Sequence, residues 1–197
     1  MPKTRQPVQN RSIETKRKII SAGYQLFEEK GFYKTNTALI AKHAGVSTGI
    51  VYGYFNNKLD ILKEVINDYI EKTYNPIFEL IENIAQKQSV KELAQKVLDL
   101  AEDLHKSSCD MHRELGAISQ ADEEINKIFV NLQDQVTMGF VEKLKKLKYK
   151  NITYEKVHLA MNIIESYVHE AVYDKHSYID YDALKNTVID LLINLFE

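Results

Sequence analysis

Residues 35–62 read TNTALIAKHAGVSTGIVYGYFNNKLDIL and contain two short helical patterns separated by a turn. Asn36 is a suitable N-cap for a helix over residues 37–43, because its side-chain oxygen can accept a hydrogen bond from a free backbone N–H. Gly45 then allows the chain to turn within about three residues. Two short helices joined by a tight, glycine-containing turn are typical of a helix-turn-helix, whose second helix enters the DNA major groove.

The second short helix is predicted to run from its cap, Ser47 or Thr48, to about Phe55. Small residues at its start allow backbone N–H groups to approach phosphates and base edges, since bulky side chains would hold the groove away. Tyr52 and Tyr54 each combine an aromatic ring with a hydroxyl that can reach a phosphate oxygen. This helix is therefore the expected DNA-reading element.

Lys58 opens the next predicted helix, directly after a cap at Asn57. A lysine at a helix N-terminus opposes the helix dipole, so its presence needs a reason. A phosphate group is an attractive partner for a point charge at this position. The alternative for Lys58 is a solvated charge.

The same stretch resembles the DNA-binding signature of the TetR family of bacterial repressors. The matching residues are Ile40-Ala41, Ala44-Gly45-Val46-Ser47, Gly49, Tyr52, Phe55 and Lys58, with Ala22, Leu26, Phe27 and Gly31 before them. The resemblance covers roughly residues 12–65. It implies a dimeric, ligand-responsive regulator, by family default a repressor, that binds a palindromic operator and is released by a small-molecule effector.

The resemblance also implies which residues contact DNA. The predicted DNA-binding set is Asn36, Thr37, Ser47, Thr48, Gly49, Tyr52, Tyr54 and Lys58. Capping is the alternative for the threonines, and domain packing is the alternative for the tyrosines. Gly53 departs from the family pattern, because a larger residue usually stands there. In the middle of a helix it would cost about 0.5 to 1 kcal/mol relative to Ala.

The composition predicts an all-α fold, because the 197 residues include only 7 Gly and 3 Pro. The expected architecture is an N-terminal three-helix domain containing the helix-turn-helix, joined by a long helix to a helical ligand-binding and dimerisation domain. The predicted divisions are a basic flexible arm over 1–11, a DNA-binding domain over 12–57 that begins with Ser12 as N-cap, and an effector domain over 58–197. Pro76 is expected to kink or interrupt the long helix.

Charge is distributed unevenly along the chain. Ten of its lysines and arginines and only three acids lie within residues 1–58, although the whole chain has a net charge of −2. A basic head suits contact with a polyanion, and a merely solvated N-terminus is the alternative. A single cysteine and the lack of an apolar leader or long apolar run favour a cytoplasmic protein with no membrane association.

An enzyme is not expected. The sequence has no nucleophile elbow, no phosphate-binding glycine loop and no helical zinc-protease motif, and no cofactor is predicted. The remaining alternative is a helical small-molecule-binding or partner-binding protein whose DNA-reading head is weak or lost, and Gly53 gives that alternative some support.

Two sets of apolar residues are assigned to the body of the protein. The expected effector pocket is formed by Tyr74, Phe78, Leu104, Met111, Leu115, Phe129, Met138 and Tyr167, although apolar residues at helical spacing are more often core. The expected dimer interface is formed by Met161, Ile164, Val168, Val172, Val188, Leu192 and Leu195 on the last two helices, with intramolecular core as the alternative. By the resemblance, these helices pair across a two-fold axis.

His105, Cys109 and His112 stand at i, i+4 and i+7, which would place them on one face of a continuous helix. Imidazoles and a thiol are ligands for Zn or Cu. Because Ser107 and Ser108 interrupt the pattern and no fourth ligand is evident, no metal site is predicted here.

Overall fold

The computed structural model describes residues 6–83, 88–107, 109–147, 149 and 151–197. These parts of the chain are helical and contain no strand, which confirms the predicted all-α class. The helices are α1 (Gln6–Lys30), α2 (Thr37–His43), α3 (Thr48–Tyr52), α4 (Lys58–Asn83), α5 (Val90–Ser107), α6 (Cys109–Ala121), α7 (Glu123–Lys146), α8 (Tyr154–Tyr173) and α9 (Tyr181–Phe196). None of the described helices has both the length and the hydropathy that crossing a bilayer requires.

The chain forms two compact units. The first joins residues up to Tyr69 with Asp110–Asp122, and the second joins Ile70–Cys109 with Glu123–Glu197. This division differs from the predicted boundary at residue 58. The first unit takes in the first half of α4 and the whole length of α6 after Cys109, because both elements contribute buried apolar side chains to it.

The N-terminal segment differs from the predicted arm. Helix α1 begins at Gln6, so most of the expected irregular region over 1–11 is helical in the described part of the chain. Pro7 falls in the first turn, where its missing N–H removes no helical hydrogen bond. Ser12 therefore lies inside α1 instead of capping it, and its hydroxyl contacts the Tyr54 hydroxyl at 3.1 Å.

Apolar side chains from α1, α2, α3, α4 and α6 are buried in the first unit. Its fully buried large side chains include Ile19, Phe27, Ile40, Val51, Ile61, Leu62, Val65, Ile66, Met111 and Leu115. Helices α1 and α4 approach closely at Gly23, where an added Cβ would lie 2.8 Å from the Ile61 side chain. Buried Thr35 donates its hydroxyl proton towards the carbonyl oxygens of Leu26 and Gly31, which closes the loop after α1.

The second unit contains two apolar clusters. One is formed mainly by α4, α5 and α7, and the other by α5, α8 and α9. Helix α4 passes Pro76 without ending there, so the predicted interruption is absent. Local side chains cap three helices of the second unit: Ser89 and Glu92 form a capping box at α5, and Thr153 and Asp180 cap α8 and α9.

Candidate functional site

The two short helices and their turn have the geometry that the sequence predicts. Asn36 caps α2 by accepting from the backbone N–H of Leu39 at 2.9 Å. Gly45 in the turn has φ +68, a left-handed conformation that glycine adopts without strain. Ser47, one of the two predicted alternatives, caps α3 by accepting from the Ile50 N–H at 3.3 Å.

Helix α3 has one buried face and one face exposed to solvent. Val51 is completely buried and Phe55, just beyond the helix, is also buried. Ser47, Thr48 and Gly49 are exposed at the start of the helix, so the end that would approach a groove carries small and polar groups. Val46, whose family counterpart belongs to the core, is half-buried here.

Both predicted tyrosines are held by hydroxyl partners on other helices. The Tyr52 ring is 56% exposed and its hydroxyl lies 3.1 Å from Thr37 Oγ1 on α2. The Tyr54 hydroxyl lies at the same distance from Ser12 Oγ on α1. These contacts set the positions of the two aromatic rings. Each hydroxyl can still accept a further hydrogen bond or rotate its proton towards another partner.

Gly53 is not in the middle of a helix. Helix α3 ends at Tyr52, and Gly53 is its C-cap with φ −73 and ψ −18, an ordinary right-handed conformation. Its N–H donates to the carbonyl oxygens of Gly49 and Ile50 at 3.1 Å. The expected loss of helix stability at an interior position therefore does not apply, and an added Cβ would lie 3.2 Å from the Ile50 carbonyl oxygen.

Lys58 has partners inside the first unit. Its ammonium donates to the carbonyl oxygens of Phe32 at 2.6 Å and Thr35 at 2.9 Å, and it lies 3.9 Å from the centre of the Phe32 ring. Burial lowers its pKa below the usual lysine value. These contacts explain a lysine at the start of α4 without a phosphate, which replaces the reason given for its predicted DNA contact.

The second unit contains a partly open cavity with about 120 Å³ of free volume. Its wall is mostly aliphatic and aromatic, with side chains from α4, α5, α7, α8 and α9, and with Tyr149 and Ile152 between α7 and α8. Its polar corner is formed by Tyr74, His105 and Glu165. Such a cavity suits an apolar molecule that is oriented by a few polar contacts.

His105 at the polar corner is only 5% exposed. Its Nδ1 lies 2.9 Å from the Ala101 carbonyl oxygen and its Nε2 lies 3.3 Å from a carboxylate oxygen of Glu165. Burial alone lowers the pKa of His105, but the hydrogen bond and charge of Glu165, with the bond to Ala101, outweigh burial and raise it above its ordinary value. Burial, followed by the charge of Glu165, raises the pKa of Tyr74 well above the usual tyrosine value.

The family model described as bacterial regulatory proteins of the tetR family matches residues 19–65, which include all of α2 and α3. Residues 19–65 are thus similar to the DNA-binding part of TetR-family regulators. The proteins that this chain is similar to are transcriptional regulators with a helix-turn-helix, not enzymes.

Curated relatives match this chain over different lengths. The HTH-type transcriptional regulator HbdR of Aromatoleum sp. (strain CIB) is 47% identical over 60 residues, which cover 28% of this chain and 26% of HbdR. The fatty acid metabolism regulator protein of Bacillus subtilis (strain 168) is 28% identical over 189 residues, which cover 89% of this chain and 92% of that protein. The chain thus spans about a quarter of one relative and nearly all of the other.

Solved structures show the same fold over nearly the whole chain. A TetR-family regulator from Mesorhizobium loti has a TM-score of 0.72 at 18% identity and covers 94% of this chain and 98% of its own. The fatty acid degradation regulator FadR from Bacillus halodurans has a TM-score of 0.58 at 23% identity and covers 90% and 94%. The N-terminal helix-turn-helix and the helical C-terminal part are therefore both features of known regulators.

Of the eight residues predicted for the effector pocket, two line the cavity: Tyr74 and Leu104. The other six lie elsewhere. Phe78 stacks on Phe140 with ring centres 4.2 Å apart, Met111 and Leu115 are buried on α6 in the first unit, Phe129 is half-buried on α7, Met138 is 50% exposed, and Tyr167 donates to Glu102 from the core. Helical spacing identified buried faces but could not separate core from cavity wall.

Several of the predicted dimer residues are buried inside the protomer itself. Val168, Val188 and Leu192 are buried in the cluster formed by α5, α8 and α9, and Val172 and Leu195 pack against that cluster. Met161, Ile164 and Leu192 line the cavity. These two helices nevertheless have exposed apolar side chains, Leu159 at 48% and Leu191 at 50%.

The residues of the metal alternative, His105, Cys109 and His112, do not share one helix. Helix α5 ends at Ser107 and α6 begins at Cys109. His105 contacts Ala101 and Glu165, while His112 contacts the Tyr69 hydroxyl at 2.8 Å. The side chain of Cys109 lies outside the described part of the chain.

Two features of the structure were not predicted from the sequence. One is the exposed pair formed by Tyr33, at 61%, and Lys34 close before α2. The other is the polar corner formed by His105 and Glu165. The signal there was a polar residue in an apolar stripe, because His105 follows Leu93, Val97 and Ala101 at intervals of four.

Proposed function

We propose that this regulator is a repressor that binds a palindromic operator as a homodimer and leaves it when an apolar small molecule occupies the cavity of the second unit. The observation that carries the proposal is the combination, in one chain, of an exposed DNA-reading helix and a separate apolar cavity with a polar corner. The first feature suits contact with DNA and the second suits an effector.

Contact with DNA is supported by the chemistry of the α3 surface. Ser47, Thr48 and Gly49 offer small side chains and backbone N–H groups at a helix start, where a phosphate is favoured. Thr37 and Tyr52 form a hydroxyl pair at the side of α3, and Tyr54 adds a third ordered hydroxyl. The exposed cations of the head supply the long-range attraction for a polyanion.

Dimer formation is supported by apolar side chains that one protomer leaves exposed. Leu159 and Ile163 are separated by four residues on α8, as are Leu191 and Leu195 on α9, so each pair lies on one helix face. Leu159 and Leu191 are about half exposed, whereas Ile163 and Leu195 are partly buried. We propose these leucine faces as the contact between two copies, because a palindromic site requires two reading helices.

The apolar nature of the effector is supported by the cavity wall and by two relatives. The Bacillus subtilis relative is named for fatty acid metabolism and the Bacillus halodurans protein for fatty acid degradation. A regulator of such processes would need to sense a molecule with a hydrocarbon part. The cavity of this chain offers a matching, mostly apolar wall.

Selection of bound sequences from a random DNA pool tests the DNA function. The purified chain should enrich a palindrome, and affinity for it should fall steeply with salt concentration. No sequence preference at ~0.15 M salt would contradict the proposal and favour a protein that binds a small molecule or partner without reading DNA. Enrichment of a single half-site would contradict binding as a dimer. Once the palindrome is known, a compound screen for its release tests the repressor mechanism.

A further inference from the structure

The charged groups on the cavity wall limit what the cavity can hold. Among the described side chains that line it, His105 and Glu165 are the ones that can carry charge near neutral pH, and these described residues include no lysine or arginine. An isolated charge taken into such an apolar space is unfavourable unless it finds a partner of opposite sign. The charge state of the His105–Glu165 pair therefore decides the charge of the ligand.

The geometry of His105 assigns that charge state. Both ring nitrogens face acceptors, the Ala101 carbonyl oxygen at 2.9 Å and the Glu165 carboxylate at 3.3 Å. A neutral imidazole has only one N–H, whereas the imidazolium has two. The arrangement fits an imidazolium next to a carboxylate, which makes the pair neutral as a whole.

Tyr74 adds a donor that the protein itself does not use. Its side chain lines the cavity, and no other described residue accepts a hydrogen bond from its hydroxyl. A phenol in this position keeps its proton and can donate to a ligand. Tyr149 also lines the cavity, but its hydroxyl already donates to the Gln88 carbonyl oxygen at 3.1 Å.

We propose that the effector is an uncharged molecule with an apolar body and one hydrogen-bond acceptor, such as an ester or ketone carbonyl, that receives the Tyr74 hydroxyl proton. This inference rests on the proposed function of the cavity and specifies its ligand. Among the described lining residues an anion would meet no lysine or arginine, and a cation would meet a carboxylate that His105 already neutralises. The free volume of about 120 Å³ is close to that of an apolar cavity of ~150 Å³ that accommodates benzene, and because the cavity is partly open, a short chain can extend beyond this volume.

Three probes with the same six-carbon chain test the charge preference: methyl hexanoate, hexanoate and hexyltrimethylammonium. Binding to the full chain is measured by calorimetry or ligand-observed NMR at pH 7, without DNA. We expect methyl hexanoate to bind at least about tenfold more tightly than either charged probe, the equivalent of 1.4 kcal/mol. Tighter binding of hexanoate or of hexyltrimethylammonium would overturn the proposal.

Two tyrosine variants test the hydrogen bond. Tyr74→Phe keeps the ring and should weaken methyl hexanoate binding about fivefold, because one buried hydrogen bond is lost. Tyr149→Phe is the matched control, since its hydroxyl serves Gln88, and should change the affinity less than about twofold if only Tyr74 donates to the ligand. Equal effects of the two variants would overturn the assignment of Tyr74.

Glu165→Gln tests the role of the neutral pair, and the partial exposure of Glu165 makes the substitution tolerable. At pH 6 His105 would lose its countercharge, so the affinity ratio of hexanoate to methyl hexanoate should rise about tenfold. An unchanged ratio would overturn the charge argument. Operator binding by the unliganded chain is measured separately, so a wrong ligand class with intact operator binding is distinguished from failure of the repressor proposal.

Discussion

The ammonium of Lys58 donates a hydrogen bond to the carbonyl oxygen of Phe32 at 2.6 Å and lies 3.9 Å from the centre of the ring of the same residue. It therefore joins the start of α4 to the loop between α1 and α2 through both a polar and a cation–π contact. The position that sequence reasoning assigned to phosphate thus has an internal structural function.

Replacing Lys58 by Met should destabilise the first unit. The carbonyl oxygens of Phe32 and Thr35 would lose their donor, and we expect the free energy of unfolding to fall by about 1 to 3 kcal/mol. Chemical denaturation measures this, with Lys42→Met on exposed α2 as a control that changes stability little. Unchanged stability of Lys58→Met together with a reduced salt dependence of operator binding would instead make Lys58 a phosphate contact.

Replacing glycine by alanine should change stability differently inside a helix and at a helix end. Gly116 lies inside α6 with open space around an added Cβ, so Gly116→Ala should stabilise the protein by about 0.5 to 1 kcal/mol. Gly53→Ala should change stability by less than about 0.5 kcal/mol, because the close contact with the Ile50 carbonyl oxygen offsets the gain in backbone order. Thermal unfolding distinguishes the two, and equal stabilisation would contradict the end-of-helix assignment of Gly53.

Removal of the Tyr52 hydroxyl should weaken operator binding without unfolding the head. Tyr52→Phe keeps the ring but loses the contact with Thr37 and the group offered to DNA, so we expect about fivefold weaker binding. Fluorescence anisotropy on the selected operator measures the affinity. Tyr178→Phe, at an 81% exposed position in the second unit, is the control and should bind as the unmodified chain does. Unchanged affinity of Tyr52→Phe would remove this hydroxyl from the interface.

The His105–Glu165 pair should make stability depend on pH. The folded state raises the pKa of His105, so its protonation contributes stability that is fully present below the ordinary value of about 6.5 and is lost as pH rises through the folded value. The stability difference between the unmodified chain and Glu165→Gln should therefore be largest near pH 6 and shrink towards pH 8.5. Denaturation at several pH values checks this, with Glu142→Gln at an exposed site as the control. A difference that grows with pH would contradict the pairing.

Introducing a charge at Leu191 should dissociate the proposed dimer. Leu191 is half exposed on α9, and a carboxylate buried without a partner in an apolar contact is strongly unfavourable. Leu191→Glu should raise the dimer dissociation constant at least roughly tenfold, as measured by sedimentation velocity. Asn186→Glu places the same charge at another exposed position of α9 and should leave the dimer intact. Dissociation of both variants alike would point to a general charge effect.

The sequence predicted the helices well and the roles of individual side chains less well. Caps such as Asn36, Ser89 and Asp180 are local signals, because the capping oxygen and its N–H partner lie within three residues. Lys58 contacts Phe32, 26 residues away along the chain, and His105 contacts Glu165, 60 residues away. No local pattern could reveal these two contacts. For the same reason, periodicity found the buried faces of α8 and α9 but not which leucines stay exposed.

The backbone of Phe32 makes two hydrogen bonds to side chains: its N–H donates to Glu114 on α6 at 2.6 Å, and its carbonyl oxygen accepts from Lys58. Glu114 is 82 residues further along the chain, and the neighbouring Met111 and Leu115 are buried. The DNA-reading head is thus a discontinuous domain that is completed by a helix encoded in the second half of the chain. A gene fragment ending at residue 69 would lack this helix. Residues 1–69 alone are therefore an incomplete domain and cannot be transferred as a unit to build chimaeric regulators.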